Sequence, residues 1–83
     1  MSDSIRVKVR YFAIFREGRG LSEETLAISP CTVRELYDRL ATEHKFLLDP
    51  SLVRAAVNQA FEPMDRPLLD GDEIVFVPPV AGG

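Results

Sequence analysis

The chain has 83 residues, 46% of them hydrophobic and 28% charged, and a formal net charge of −3 with a pI near 5.0. That is room for one domain with a thin core, and the composition is too apolar for a disordered chain. The acidic balance lacks the basic footprint of a nucleic-acid binder, one cysteine cannot form an internal disulfide, and no apolar run has the length of a signal peptide or a membrane span. A cytoplasmic protein with no nucleic-acid or membrane partner is expected.

The first element is "IRVKVRY". Its strict alternation places Ile5, Val7, Val9 and Tyr11 on a buried strand face and Arg6, Lys8 and Arg10 on the opposite one. Phe12 continues the basic outer face, an unusual place for a large aromatic. "REGRG" offers two glycines and reads as a turn. "ETLAIS" alternates again, with Leu26 and Ile28 inward, so an N-terminal hairpin is predicted, closed by Pro30. "TVRELYDRLATEH" carries the strongest helical signal: Thr32 and Glu35 form a capping box, and Val33, Leu36, Tyr37 and Leu40 make one apolar stripe. The pattern dissolves after His44, and "FLLDPSL" reads as a short turn packed by Phe46 and Leu47. Val53, Ala55 and Val57 alternate into an Asn58-Gln59 tight turn, and Asp70-Gly71 marks a turn before a last strand. In that strand Ile74 and Phe76 face one side, Val75 and Val77 the other. The order ββαββ predicts an α+β fold, a mixed sheet of four to five strands with one main helix packed across it.

Little in the chain suggests catalysis. His44 stands alone and reads as a solvated residue at a helix end. Cys31 precedes a helix cap, which favours a thiolate somewhat, but it reads better as a half-buried residue at a strand–helix junction. No cysteine and histidine spacing suits a metal, "REGRG" lacks a phosphate-loop lysine, and "DGDE" reads as a solvated turn rather than a calcium loop. The Arg6, Lys8 and Arg10 stripe reads as a solvated sheet face. A self-sufficient enzyme is not expected.

The end of the sequence, "FVPPVAGG", is different. Pro78 and Pro79 stop strand pairing and favour an extended path away from the body. From Val77 to Gly83 the reach is on the order of 20 Å, at about 3.3 Å per residue. Gly82 and Gly83 can pass a channel too narrow for side chains. The terminal carboxylate, with an ordinary pKa of about 3.5, is ionised at neutral pH and a poor electrophile until another protein activates it. The division expected is a folded domain over residues 1–77 and a flexible tail over 78–83.

"VRYFAIFRE" with Gly20, "TVRELYDRL", "AAVNQ" and "LLDGDEIVFVPPVAGG", in that order along nearly the whole chain, resemble the small, sulfur-carrying subunits of molybdopterin synthase, which are ubiquitin-like β-grasp proteins. The resemblance implies that an E1-like enzyme, using ATP and magnesium, adenylates the Gly83 carboxylate. A sulfur donor protein then converts it to a thiocarboxylate. This chain itself binds no cofactor and no metal. It docks on the large synthase subunit in a heterotetramer and inserts Pro78, Pro79, Val80, Ala81, Gly82 and Gly83 into that subunit's active site. There sulfur passes to the cyclic pyranopterin precursor of the molybdenum cofactor. Phe12, Phe61 and Val77 stand where the family keeps an apolar docking patch, and Arg16 matches its "RE" arginine, with a structural or docking salt bridge implied. The alternatives are a sulfur carrier for thiamin synthesis or tRNA thiolation, a protein modifier, and a β-grasp interaction domain with an inert tail.

Overall fold

The computed structural model describes residues 4–79. The elements run β1 (Ile5–Tyr11), α1 (Ala13–Arg19), β2 (Glu23–Ile28), α2 (Val33–His44), a 3₁₀ turn at Pro50–Leu52, β3 (Arg54–Val57), β4 (Ala60–Glu62) and β5 (Glu73–Val77). They build a five-stranded mixed sheet in the order β2-β1-β5-β3-β4. The central pair β1 and β5 is parallel, with Val9 opposite Ile74 and Tyr11 opposite Phe76, and every other neighbouring pair is antiparallel. With α2 laid across one face, this is the ubiquitin-like β-grasp arrangement.

The period-2 strands and the 3.6-period helix meet in one core. Val7, Val9, Tyr11, Ala55, Val57, Ile74 and Phe76 project from the inner sheet face against Val33, Leu36, Tyr37 and Leu40 of α2, all of them buried. Aromatic edges lock the layers: the Tyr37 ring sits 5.3 Å from Phe76 and 5.9 Å from Phe15, and the Tyr37 hydroxyl donates to the Leu48 carbonyl at 2.7 Å. The capping box of α2 is complete, the Glu35 N–H donating to Thr32 Oγ1 at 3.1 Å and the Thr32 N–H to Glu35 Oε1 at 2.8 Å. Asn58 and Gln59 turn the β3–β4 hairpin with φ of 52° and 74°, the geometry of a two-residue turn that matches strand twist.

Several expectations are corrected. "REGRG" is no hairpin turn; β1 and β2 are antiparallel neighbours joined by helix α1. Phe15 is buried and anchors that helix, while Gly20 ends it at φ 79°, its N–H donating to the Arg16 carbonyl at 2.8 Å. Gly18 lies inside the helix because Phe46 approaches so closely that an added Cβ would meet the ring at 3.2 Å. Glycine thus marks a helix stop and a close approach here, two uses that local sequence does not separate from a turn. Leu47 does not pack the loop after α2; it is 98% exposed, and Phe46 and Leu48 turn inward on either side of it. The His44 side chain is only 21% exposed, its ring 5.9 Å from Phe46, so it is half-buried rather than solvated. Cys31 is half-buried as expected, but burial, reinforced by Glu35, pushes its thiol up, opposite to the thiolate tendency of a helix cap.

Asp72 is the largest departure, because "DGDE" is not a solvated turn. Asp72 is 5% exposed. Its carboxylate accepts from the Leu69 N–H at 2.8 Å, from Arg66 Nη1 at 2.9 Å and from Asn58 Nδ2 at 2.9 Å. Burial by itself pushes this carboxyl up, but those donors outweigh it and hold it below the usual carboxylate range. Asn58 also accepts from the Glu73 N–H through Oδ1 at 3.0 Å. Three separate stretches of chain thereby converge to set the start of β5.

Candidate functional site

The helices cover one sheet face and leave the other open. The open face is built by the alternate residues of each strand, and the parallel β1–β5 pair decides which of them meet. Because β1 and β5 run together and β3 runs against them, Tyr11, Val77 and Arg54 all lie at one end of the sheet. Phe12 follows Tyr11 in extended conformation, with φ −118° and ψ 152°, so it stands level with Val77, which follows Tyr11's partner Phe76. Phe12 is 48% exposed and Val77 is half-buried. This edge is also where the chain leaves the sheet: Pro78 is half-buried and Pro79 exposed, and neither is in a strand.

Phe61 lies two strands over. It is opposite Ala56 on β3, which is in turn opposite Val75 on β5, so all three share the open face. Phe61 is 59% exposed, and the Arg54 guanidinium covers its ring at 4.5 Å from the centroid. A stacked cation of this kind holds an exposed aromatic in place without burying it. Sequence reasoning chose Phe12, Phe61 and Val77, and the sheet brings them onto one face, Phe12 beside Val77 and Phe61 at the far side. It missed Ala56, Val75 and Arg54 as members of that surface. Alternation puts them on the right face, but only the register shows that they join Val77 to Phe61.

Arg16 is exposed on α1, and its guanidinium makes no ion pair among the described residues. The neighbouring Arg19 takes the structural role instead. It grips Glu24 through Nε and Nη2, each at 2.8 Å, and Tyr11 donates its hydroxyl to the same carboxylate. The Arg19 hydrogen bonds hold the Glu24 carboxyl below its ordinary range, and burial, reinforced by Glu24, raises the Tyr11 phenol. Val80, Ala81, Gly82 and Gly83, the sequence-predicted reactive tail, lie outside the described residues.

Residues 9–83 match the model of the ThiS family. This chain belongs to the ThiS family. It is 39% identical over 80 residues to the molybdopterin synthase sulfur carrier subunit of Escherichia coli, spanning 93% of this chain and 99% of that protein. Among solved structures, the putative molybdopterin converting factor subunit 1 of Pyrococcus furiosus superposes with a TM-score of 0.78 at 33% identity, over 93% of this chain and all of that one (100%). A Helicobacter pylori chain from a complex of subunits 1 and 2 of molybdopterin-converting factor matches with a TM-score of 0.58 at 30% identity, over 95% of this chain and 100% of that one. In this ThiS-family chain no helix among the described residues is long and apolar enough to cross a membrane.

Proposed function

We propose that this chain is the sulfur-carrier subunit of a molybdopterin synthase. The observation that carries the reading is the 39% identity, over 93% of this chain and 99% of that protein, to a protein named as that subunit. The chemistry resides in the Gly83 carboxylate. An E1-like partner joins it to AMP at the expense of ATP, with magnesium, releasing pyrophosphate. A sulfide-level sulfur nucleophile from a donor protein attacks the acyl-adenylate carbonyl and expels AMP, leaving a thiocarboxylate. Phe12, Val77 and Phe61 dock the open sheet face on the large subunit; a complex of subunits 1 and 2 named for the Helicobacter pylori relative supports a partner of that kind. From there Pro78 and Pro79 direct Val80, Ala81, Gly82 and Gly83 into the large subunit's active site. Sulfur passes to the cyclic pyranopterin precursor, and two transfers complete the dithiolene. The assembly is a heterotetramer with one carrier at each end, in the cytoplasm. The division of labour is physical: a rigid sheet supplies recognition, and a tail without bulky side chains supplies reach.

Intact-protein mass spectrometry tests this. The full chain is incubated with an E1-like enzyme, ATP, magnesium and a sulfur donor, beside a variant lacking Gly82 and Gly83. The expected result is a mass gain equal to oxygen replaced by sulfur, absent from the truncated chain. Sulfur transfer to the pyranopterin precursor with the large subunit then separates this role from thiamin synthesis and tRNA thiolation. No mass change with a competent partner would leave an interaction domain, and isopeptide-linked conjugates in cells would indicate a modifier.

A further inference from the structure

The open sheet face is apolar at its centre but not neutral at its margins. Arg10 on β1 lies opposite Val75, and Arg54 on β3 lies opposite Val77, so an arginine flanks β5 on each side. Both are exposed. Arg10 has an acidic residue opposite it on β2, Glu23, but that carboxylate is taken by Lys8 at 3.0 Å. Lys8 also reaches Glu73 at 3.8 Å. The acidic side chains of this face are thus spent on the lysine, and Arg10 has no ion pair among the described residues. Arg54 faces the Phe61 ring rather than a carboxylate. Two uncompensated cations therefore border the apolar patch of a chain whose net charge is −3.

We infer that Arg10 and Arg54 are specificity residues of the docking face, which select a large-subunit surface that is apolar at its centre and carries a carboxylate on each side. The inference rests on the docking reading above and adds the charge pattern of the partner. Docking an apolar patch strips water from its border, and a cation that loses water without gaining an anion opposes binding. Arg10 and Arg54 sit two strand spacings apart across β5 and two residues apart along it, so the two carboxylates should lie on the order of 12 Å apart. Arg54 is the better defined of the two, because its guanidinium already rests over the Phe61 ring. The same pattern disfavours a second copy of this chain as the occupant, since each copy would present unneutralised arginines to the other.

The test uses the full chain and the large subunit of the same organism, with the dissociation constant measured by calorimetry. Raising salt from about 50 mM to about 500 mM should weaken native binding about tenfold or more. Arg10→Glu and Arg54→Glu should each weaken it about tenfold, and the double variant should also lose most of its salt dependence. Arg54→Lys, which keeps the charge but not the guanidinium over Phe61, should weaken binding less than Arg54→Glu, and Arg39→Glu on the outer side of α2 should bind like the native chain. Thermal melts of each variant establish that it is folded, and Val77→Asp serves as the test of the docking face itself. If Val77→Asp abolishes binding while the double arginine variant binds like native, the inference is overturned and the docking reading stands. Native-like binding by Val77→Asp would overturn both, as would a native homodimer that Val77→Asp disperses.

Discussion

Asp72 shows how much one side chain can set. It is buried, yet it satisfies donors from the Leu69 backbone, Arg66 and Asn58. Removing it leaves Arg66, whose side chain is only 23% exposed, with the longer Glu62 contact at 3.3 Å alone, and takes the acceptor from the Leu69 N–H and the Asn58 amide. Asp72→Ala should therefore cost about 3 kcal/mol in chemical denaturation, the range for breaking one side of a buried pair. The pH dependence has a definite sign. The folded Asp72 and Glu24 carboxyls are held below their unfolded values. Their contribution is complete above about pH 5 and is lost as pH falls through the folded values. Urea midpoints should fall steeply below that pH in the native chain and less steeply in Asp72→Asn. An equally steep acid limb in that variant would remove Asp72 from the account.

Among the elements, the β3–β4 turn and α1 show opposite relations between sequence and backbone. Asn58-Gln59 reads as a tight turn and is one, but Gln59 holds φ 74°, which a side chain tolerates poorly. Asn58 must stay, because its amide ties the turn to Asp72 and Glu73. Gln59→Gly should relieve the left-handed strain and raise stability by about 1 kcal/mol, read as a shift of the denaturation midpoint. In α1 two glycines conceal a helix. Its seven residues lack a side-chain cap and hold together through burial of Phe15. α2 needs less help from its surroundings: its box, its stripe and its length already agree, and Thr32→Ala should cost about 1 kcal/mol in the same measurement.

For the molecule as a whole, the core and the proposed reactive end are separate parts. The buried hydrophobic residues run from Val7 to Phe76, and the chain leaves the sheet at Val77. Deleting Gly82 and Gly83 should leave the melting temperature unchanged while abolishing thiocarboxylate formation. A drop in melting temperature would mean that the tail belongs to the fold. The open sheet face complements this arrangement, since it gathers Phe12, Val77 and Arg54 at the edge from which the tail departs.

Local periodicity was enough to identify β1, β2, α2, β3 and β5, the capping box, and the inner and outer faces of those strands. These features depend on residues within a few positions of one another, and the blocks with the terminal Gly-Gly identified the family. The parallel β1–β5 pairing, the helix hidden in "AIFREGR" and the burial of Asp72 depend on contacts between distant parts of the chain. Asp72 meets Asn58 across 14 positions, and Tyr11 lies opposite Phe76 near the other end of the sequence. Alternation assigns a residue to a face, but only register gives it neighbours. Phe12 and Val77 were therefore legible as outward residues, whereas the patch they form, and the arginines that border it, came into being only when β5 took its place between β1 and β3.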